Sequence, residues 1–577
     1  MIYIYLIFTT ILLSQKLITD VNKFDKLLFE YQALESNEIS NKLFFSPFIQ
    51  DKPSEKVVSV GYKHYFEIEP TFAVRSSIKG FEMYNEAYQS NSSLFDQDFV
   101  NINEVNINGD FLNADVVSPM LWISPGIKIH STIPILNDFT NIWIYNWSTF
   151  YKHSSYGFDS NKSWVDKDTP LFYYDNEYSI EYYEPTQSPD NGIDFDEGQS
   201  GISILSNDFQ LIFGKFQTNI GPFYSGNLSI SDNAPSFTQF LAKINFDDKI
   251  YFSYLVGSLT SNISKSYESE AFTDQWEIVS SNNNDLLYDY ISASSEPMIN
   301  RYIINHRFDF LPVANFRIGL YEQMICGGDS VPWSYLVPLN PLFSAQHATN
   351  DQDNLQIGLD LEYIFNKSRF TFALMMDEWA LYDTFKETER NWFAYQIGYS
   401  KLFKFYEKTT LFKIEYSYID PGAYTHRFII NEPKHQGYNL GYWSNSNSDN
   451  FTLSTTFFIS NNDLLLFEYK YTRFGLGDEI YLLEQQYQYE TGVDHLSEGY
   501  VSKNDIDIIY SKKYKGVSID FEYSQANYLR KYYINCSIIG GCNDISSNNI
   551  IDGERYEEFS TEKIDDFRIK LRYNISK

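Results

Sequence analysis

The sequence predicts an all-β protein, a transmembrane antiparallel β-barrel of about 16 to 20 strands (18 favoured) preceded by a short N-terminal helical segment. Three observations lead there. From about Val57 onward, apolar residues recur at every second position in segments that often reach about nine to eleven residues, the length a tilted strand needs to cross a bilayer. Short turns and long polar loops separate these segments, as in outer-membrane barrels. The chain opens on an apolar leader, which suits secretion.

The leader, Met1 to Leu13, reads MIYIYLIFTTILL and stops at Ser14, Gln15 and Lys16. It is too short to span a membrane as a helix and right for the apolar part of a signal peptide. No basic residue precedes it, and no small-x-small cleavage site follows it. The alternative is a buried strand or helix of a cytosolic protein. On the secretory reading the chain divides into a signal peptide at 1–15, an N-terminal helical or periplasmic segment at 16–56, and the barrel with its long loops at 57–577. Within the middle part, Phe24, Leu27, Leu28, Tyr31 and Leu34 share a helical spacing while Glu30 and Glu35 lie off the stripe, so one short amphipathic helix is expected.

Strand-like alternation then recurs near 58–74, 114–123, 127–136, 141–151, 176–183, 202–216, 238–246, 250–257, 301–311, 315–325, 355–365, 369–379 and 392–403. In Phe412 to Tyr418 the apolar Phe412, Ile414, Tyr416 and Tyr418 alternate with Lys413, Glu415 and Ser417. Further segments fall near 437–443, 451–458, 464–473 and 505–514. Two strands close the chain: Val517 to Ser524, with Asp520 and Glu522 on its polar face, and Phe567 to Ile575, with Arg568, Lys570 and Arg572 on its own. Turns such as Asn366-Lys367-Ser368 are short, whereas Glu184 to Gly201, Ser258 to Pro297 and Leu476 to Lys503 are long and polar. A soluble β-sandwich shows the same alternation with its apolar face inward. Strand length, the gathering of Tyr and Phe near strand ends, and the want of a Pro/Gly/Ser linker favour one barrel. One departure is that the chain runs past Tyr573 to Lys577 instead of ending on an aromatic residue.

Composition narrows the function. The 577 residues include 48 Tyr, 47 Phe and 9 Trp, too much aromatic surface for a disordered chain. Mean hydropathy is −0.35, and no internal run reaches the ~18 uncharged apolar residues of a spanning helix. A net charge of −32 repels phosphate backbones and argues against nucleic-acid binding. Cys326, Cys536 and Cys542 lack zinc-site spacing; the last two enclose a short glycine-containing loop and are either free thiols or a disulfide. No H-E-x-x-H, G-x-S-x-G, Walker or G-x-G-x-x-G pattern occurs, so no enzyme and no cofactor or metal are expected. Asp351 and Asp353 form a lone D-x-D without the rest of a calcium loop. Lys413, Glu415, Asp520, Glu522, Arg568, Lys570 and Arg572 are expected to face a mixed-charge lumen, pairing with one another or lining a pore.

Phe213 to Pro235 reads FGKFQTNIGPFYSGNLSISDNAP. With Gly214, Lys215, Gly221, Pro222, Asn227, Leu228 and Ser231-Asp232-Asn233-Ala234-Pro235, it resembles the signature of the capsule assembly protein Wzi family. Two further regions are similar to that family: Tyr321 to Pro341, through Gly327-Gly328 and Pro338-Leu339-Asn340-Pro341, followed by Asp351 to Asp360, and Glu415 to Trp443, through Glu415-Tyr416, Tyr424-Thr425-His426 and Gly441-Tyr442-Trp443. Gln217, Asn219, Ile220 and Phe223 depart from the pattern, in which an arginine, a tryptophan and a second glycine are usual. The resemblance implies an outer-membrane barrel of a Gram-negative-type bacterium that binds capsular or related surface polysaccharide and helps assemble or retain it without catalysis.

On that reading the candidate polysaccharide-binding residues are Lys215, Asp232, Asn233, Trp333, Tyr335, Tyr424, His426 and Trp443. Asp232 and Asn233 offer a carboxylate and an amide to sugar hydroxyls, or else bond their own backbone in a turn. Trp333, Tyr335 and Trp443 would stack on sugar rings, or pack as loop and girdle aromatics. The expected partners are the polysaccharide and outer-membrane lipid, with no nucleic acid, and the barrel is expected to be a monomer. A porin or sugar-uptake channel on the same barrel is the alternative.

Overall fold

The computed structural model describes residues 17–18, 23–39, 45–46, 48–49, 65–77, 116–137, 140–158, 192–206, 208–232, 234–247, 249–274, 297–347, 352–378, 391–436, 438–460, 462–475, 494–496, 499–514, 517–535, 542–543, 550–551 and 555–574. Residues 1–15, the 176–183 segment, Asn233, Asp351 and Cys536 lie outside the described residues, so the leader and the Cys536–Cys542 pairing do too.

Eighteen strands pair antiparallel, each with its neighbour in sequence, into a closed barrel. They are β1 (Tyr65–Ser77), β2 (Val116–Asn137), β3 (Thr140–Phe158), β4 (Gly192–Leu205), β5 (Phe209–Phe216), β6 (Phe237–Phe246), β7 (Ile250–Ser264), β8 (Met298–Val313) and β9 (Phe316–Gly327). The ring continues through β10 (Asn354–Phe365), β11 (Ser368–Glu378), β12 (Trp392–Phe405), β13 (Lys408–Ile419), β14 (Ser448–Ser460), β15 (Asp463–Gly475), β16 (Gly499–Tyr514), β17 (Val517–Asn535) and β18 (Arg555–Asn574). It closes where β18 pairs with β1, Tyr573 opposite Phe72. This is the favoured strand number.

Some of the sequence segments resolve differently from the expectation. The 114–123 and 127–136 segments are one continuous strand, β2. The 202–216 segment bends at 206–208 into β4 and β5, where the Ser206 side chain accepts from the Asp208 amide at 3.1 Å. The 437–443 segment is no wall strand: its backbone runs inside the long β13–β14 connection.

Turns of two or three residues join β2–β3, β4–β5, β6–β7, β8–β9, β10–β11, β12–β13, β14–β15 and β16–β17. All lie at one end of the barrel, and the long connections lie at the other. Two of them are type I′-like: Asn366 and Lys367, and likewise Tyr406 and Glu407, all have positive φ, which matches strand twist in a two-residue hairpin.

Alternation sorts the side chains into two environments. Phe213, Leu320, Ile397 and Phe521 point outward and are exposed, the lipid-facing set of a barrel. Arg307, Asp309, Arg317, Asp360, Glu362 and Arg369 point inward and are buried. There they form a cross-strand ladder, with Arg317 to Asp309 at 2.7 Å, Arg307 to Asp360 at 2.7 Å and Arg369 to Glu362 at 2.6 Å. Gly319 makes room for it, since a Cβ there would sit 2.1 Å from an Arg307 Nη. Lys413 and Glu415 are lumenal and buried as expected. Asp520 stands opposite Lys570 and Glu522 opposite Arg568 in the β17–β18 register.

Candidate functional site

Among the described residues, three longer pieces of non-wall chain occupy the lumen, besides Phe45–Ser46, which pairs with Asn219–Ile220. The first is α1 (Lys23–Ser36), the helix expected from Phe24 to Glu35. Its apolar Leu27, Ala33 and Leu34 pack on Ile364, Leu402, Leu411, Leu464 and Leu466. It sits toward the short turns: Glu35 pairs with Lys367 at 2.8 Å and the Ile39 amide donates to Ala314 O at 2.9 Å. No helix among the described residues is long and apolar enough to cross a membrane.

The second piece is the β5–β6 connection, residues 217–236, which turns inward instead of leaving the barrel. Gly221 has φ +140°, a conformation that excludes a Cβ, and a Cβ there would lie 2.2 Å from Asn227 Oδ1. That Oδ1 accepts from the Phe223 amide at 3.0 Å, while Asn227 Nδ2 donates to Asn219 Oδ1 at 2.7 Å. The wall then pins the turn. Glu415 accepts from the Tyr224 and Ser225 amides at 3.0 and 2.8 Å, Arg369 donates to Pro222 O at 2.7 Å, and Gln396 donates to Gly226 O at 3.0 Å. Gln217 caps the far end by donating to the carbonyls of Asp232 and Ala234 at 2.9 and 3.0 Å. Such buried carbonyls and amides require partners, and the wall supplies them.

The third piece is the β13–β14 connection, residues 420–447. Arg301 of β8 donates to the carbonyls of Ile430, Lys434 and Ile429 at 2.5, 2.7 and 2.8 Å. His435 Nδ1 accepts from the Thr260 amide at 2.9 Å, and Asn431 bridges the Gly327 amide (2.8 Å) and Gln352 O (2.8 Å). The second and third pieces meet directly: Tyr424 donates to Leu228 O at 2.7 Å and accepts from the Tyr442 amide at 3.1 Å, and the Ser231 amide donates to Leu440 O at 2.7 Å. Tyr438, Leu440 and Tyr442 alternate with Asn439 and Gly441 in sequence as a strand would, yet residues 438–442 are all buried in this lumenal contact.

Burial sets the charge states of this connection. It pushes His426 and His435 down to about 3, so both are neutral at physiological pH. Burial likewise pushes Asp420 up to about 7, partly offset by the Gly422 amide, which donates to its Oδ1 at 3.0 Å.

The expected binding residues fall into separate groups. Tyr424 and Trp443 share one cluster with Phe223, Leu228 and Tyr442, and Trp443 also meets Phe474 edge-on at 6.0 Å. His426 is buried against Phe428 of a separate cluster, its Nδ1 accepting from the Phe428 amide at 3.1 Å. Asp232 is ion-paired with Lys26 of α1 and partly exposed. Lys215 lies on the face of β5 that carries the exposed Phe213, away from the lumen. Trp333 and Tyr335 belong to the β9–β10 connection: Trp333 is exposed, whereas Tyr335 is buried and donates to Asp353 at 2.6 Å. Arg301, Glu30 and Gln217, which fix the lumenal pieces, are absent from the sequence-derived set. Only the lumenal placement of Lys413 and Glu415 gave a local sign of such pinning.

The sequence profile of the capsule assembly protein Wzi family matches residues 139–518, more than half of the chain. The chain belongs to the capsule assembly protein Wzi family. Among solved structures it is similar to Wzi of Escherichia coli, described as an outer membrane protein involved in group 1 capsule assembly and a carbohydrate-binding β-barrel. That likeness has 12% identity and a TM-score of 0.49, covering 97% of this chain and 100% of that one. It is also similar to OccK7 (OpdD) of Pseudomonas aeruginosa, at 7% identity, TM-score 0.39, and 89% and 99% coverage. OccAB4 of Acinetobacter baumannii matches at 10% identity, TM-score 0.40, and 88% and 98% coverage. No curated protein matches the chain. Gly221, Pro222, Asn227 and Leu228, which carry the sequence resemblance to the family, build the inward turn and its contacts.

Proposed function

We propose that this Wzi-family barrel sits in the outer membrane, binds exported capsular or related surface polysaccharide at its long-loop end, and helps assemble or retain it at the cell surface with no chemical step. One observation carries the reading beside the family membership. The lumen holds α1 and two inward segments tied to the wall by buried hydrogen bonds, which suits a binding platform better than a conduit. The porin alternative needs an open path, and these pieces take up space inside the barrel. Partly exposed Asp232 and Trp443, with the amides and hydroxyls around them, offer polar and stacking contacts of the kind sugars use. Tyr424 and His426 are the buried support of the proposed mouth. We expect a monomer surrounded by outer-membrane lipid.

The test is binding of the purified full chain to the producing cell's own surface polysaccharide, with unrelated glycans as controls. Selective binding that weakens in Trp443→Ala and Asp232→Asn is expected. Equal retention of capsule on cells with and without the gene, none of it shed, would remove the proposal.

A further inference from the structure

Residues 329–347 of the β9–β10 connection form a covering piece outside the lumen. It lies against the outside of the barrel wall. On β8 and β9 the lumen-facing residues are Arg301, Asn305 and Arg307, and Arg317 and Gln323; the alternate positions face outward, as exposed Phe308 and Leu320 show. Yet the outward-facing Ile304, His306, Met324 and Cys326 are all buried. Tyr335, together with Leu342 and Ala345 of α2 (Leu342–His347), covers this stretch of wall.

The contact is specific. His306 Nδ1 and Glu322 Oε1 are 3.1 Å apart, and Glu322 Oε2 accepts from the Leu342 amide at 3.0 Å. Tyr254 and Tyr302, also outward-facing, donate to the carbonyls of Leu336 (3.0 Å) and Asp329 (3.3 Å). A histidine and a carboxylate on a bare lipid-facing wall would be costly, so the covering loop is built in. It is also rigid: Asn340 donates to Ser334 O at 2.8 Å and Leu339 is held at φ +70°. Glu322 lies five residues below the end of β9. At ~3.3 Å per residue and a tilt of ~45°, the loop reaches roughly 12 Å down the wall.

Its other face is apolar. Trp333, Leu339, Val337 and Phe343 are 85%, 61%, 54% and 54% exposed. Residues 330–347 contain no Asp, Glu, Lys or Arg, in a chain that is 21% charged and carries −32 overall. A loop bathed in water has no reason to shed every charge, and this apolar face continues the lipid-facing surface of Phe308 and Leu320.

We propose that residues 330–347 form a flap inserted in the outer leaflet, with lipid hydrocarbon covering Trp333, Val337, Leu339 and Phe343. The flap thickens one side of the barrel, over β6 to β10, and removes Trp333 from the surface that meets glycan. Trp333 then sits in the belt where indoles bridge hydrocarbon and headgroups.

The test reads Trp333 emission, taken as the difference between the full-length protein and Trp333→Phe, in phosphatidylcholine vesicles with plain or brominated acyl chains. Correct folding of both is checked by heat-modifiable gel migration. Loss of most of this emission in the brominated vesicles, with no loss to aqueous iodide, is expected. Quenching by iodide and not by brominated lipid would place the flap in water and overturn the proposal. Protection from both would mean that protein covers it, which overturns the proposal equally. Phe343→Trp in the Trp333→Phe background gives a second reporter with the same expected pattern.

Discussion

The carboxylate of Glu30 in α1 is ion-paired with the ammonium of Lys413 on the lumen face of β13, joining positions 383 residues apart. Arg369 Nη1 at 3.3 Å and Ser400 Oγ at 2.5 Å share the other oxygen. All of these groups are buried, so each depends on the others for its charge to be tolerated.

Replacing Glu30 with Ala leaves Lys413 and Arg369 without that counter-charge. We expect a loss of about 3 kcal/mol, the scale for breaking a buried pair, measured as a lower urea midpoint for the folded, heat-modifiable band. Glu30→Gln, which keeps the shape, is expected to lose less. Burial would raise the Glu30 carboxyl, but Lys413 and Arg369 outweigh it and hold it at about 2, below its ordinary 4.5. A depressed carboxyl stabilises fully above its unfolded value and loses that contribution as pH falls through the folded one. The difference between wild type and Glu30→Gln should therefore shrink between pH 4.5 and about 2.

His426 and His435 give a second pH signature. Both are held at about 3, against an ordinary 6.5. The unfolded chain takes up protons first, so their effect is to weaken the folded 420–447 segment as pH falls from 6.5 toward 3. NMR of ring-labelled histidine should show two imidazoles that do not titrate near 6.5; titration of every ring there would contradict this.

Asp420 acts in the opposite sense. Held at about 7 against an ordinary 3.8, it keeps its proton in the fold where the unfolded chain has lost it, so stability declines as pH rises between those values. Asp420→Asn keeps an acceptor for the Gly422 amide without a charge to desolvate. Its stability relative to wild type should grow from about pH 4 to about pH 7 and then level off, as read by urea titration at each pH.

Arg301 satisfies three carbonyls of the 420–447 segment. Arg301→Ala orphans them at a cost of about 3 kcal/mol and should let the segment leave the lumen at times. We expect planar bilayers to show no steady current for the wild type and intermittent openings for this variant. Equal conductance of the two would show that the segment does not close the path.

Gly221→Ala places a Cβ on Asn227 at a backbone angle that side chains avoid. A cost of about 1–3 kcal/mol is expected, together with weaker glycan binding, because the inward turn carries the support of the proposed mouth. Unchanged binding at unchanged stability would separate the turn from the function.

Local periodicity was enough to reveal much of the architecture. Period-two alternation placed the wall strands and set Lys413 and Glu415 inward, the stripe from Phe24 to Leu34 marked α1, and short polar pairs such as Asn366-Lys367 marked the turns. Periodicity reports that an element has two unlike sides, but not what each side meets. That residues 438–442 are buried inside the lumen and form no wall strand, and that Tyr335 is buried on the outer wall while Trp333 stands clear of it, emerged from the folded barrel. So did the meeting of Glu30 with Lys413 and Arg369 across the lumen. Those outcomes rest on contacts between residues distant in the chain, formed because buried charges and backbone groups must find partners, and no local pattern names the partner.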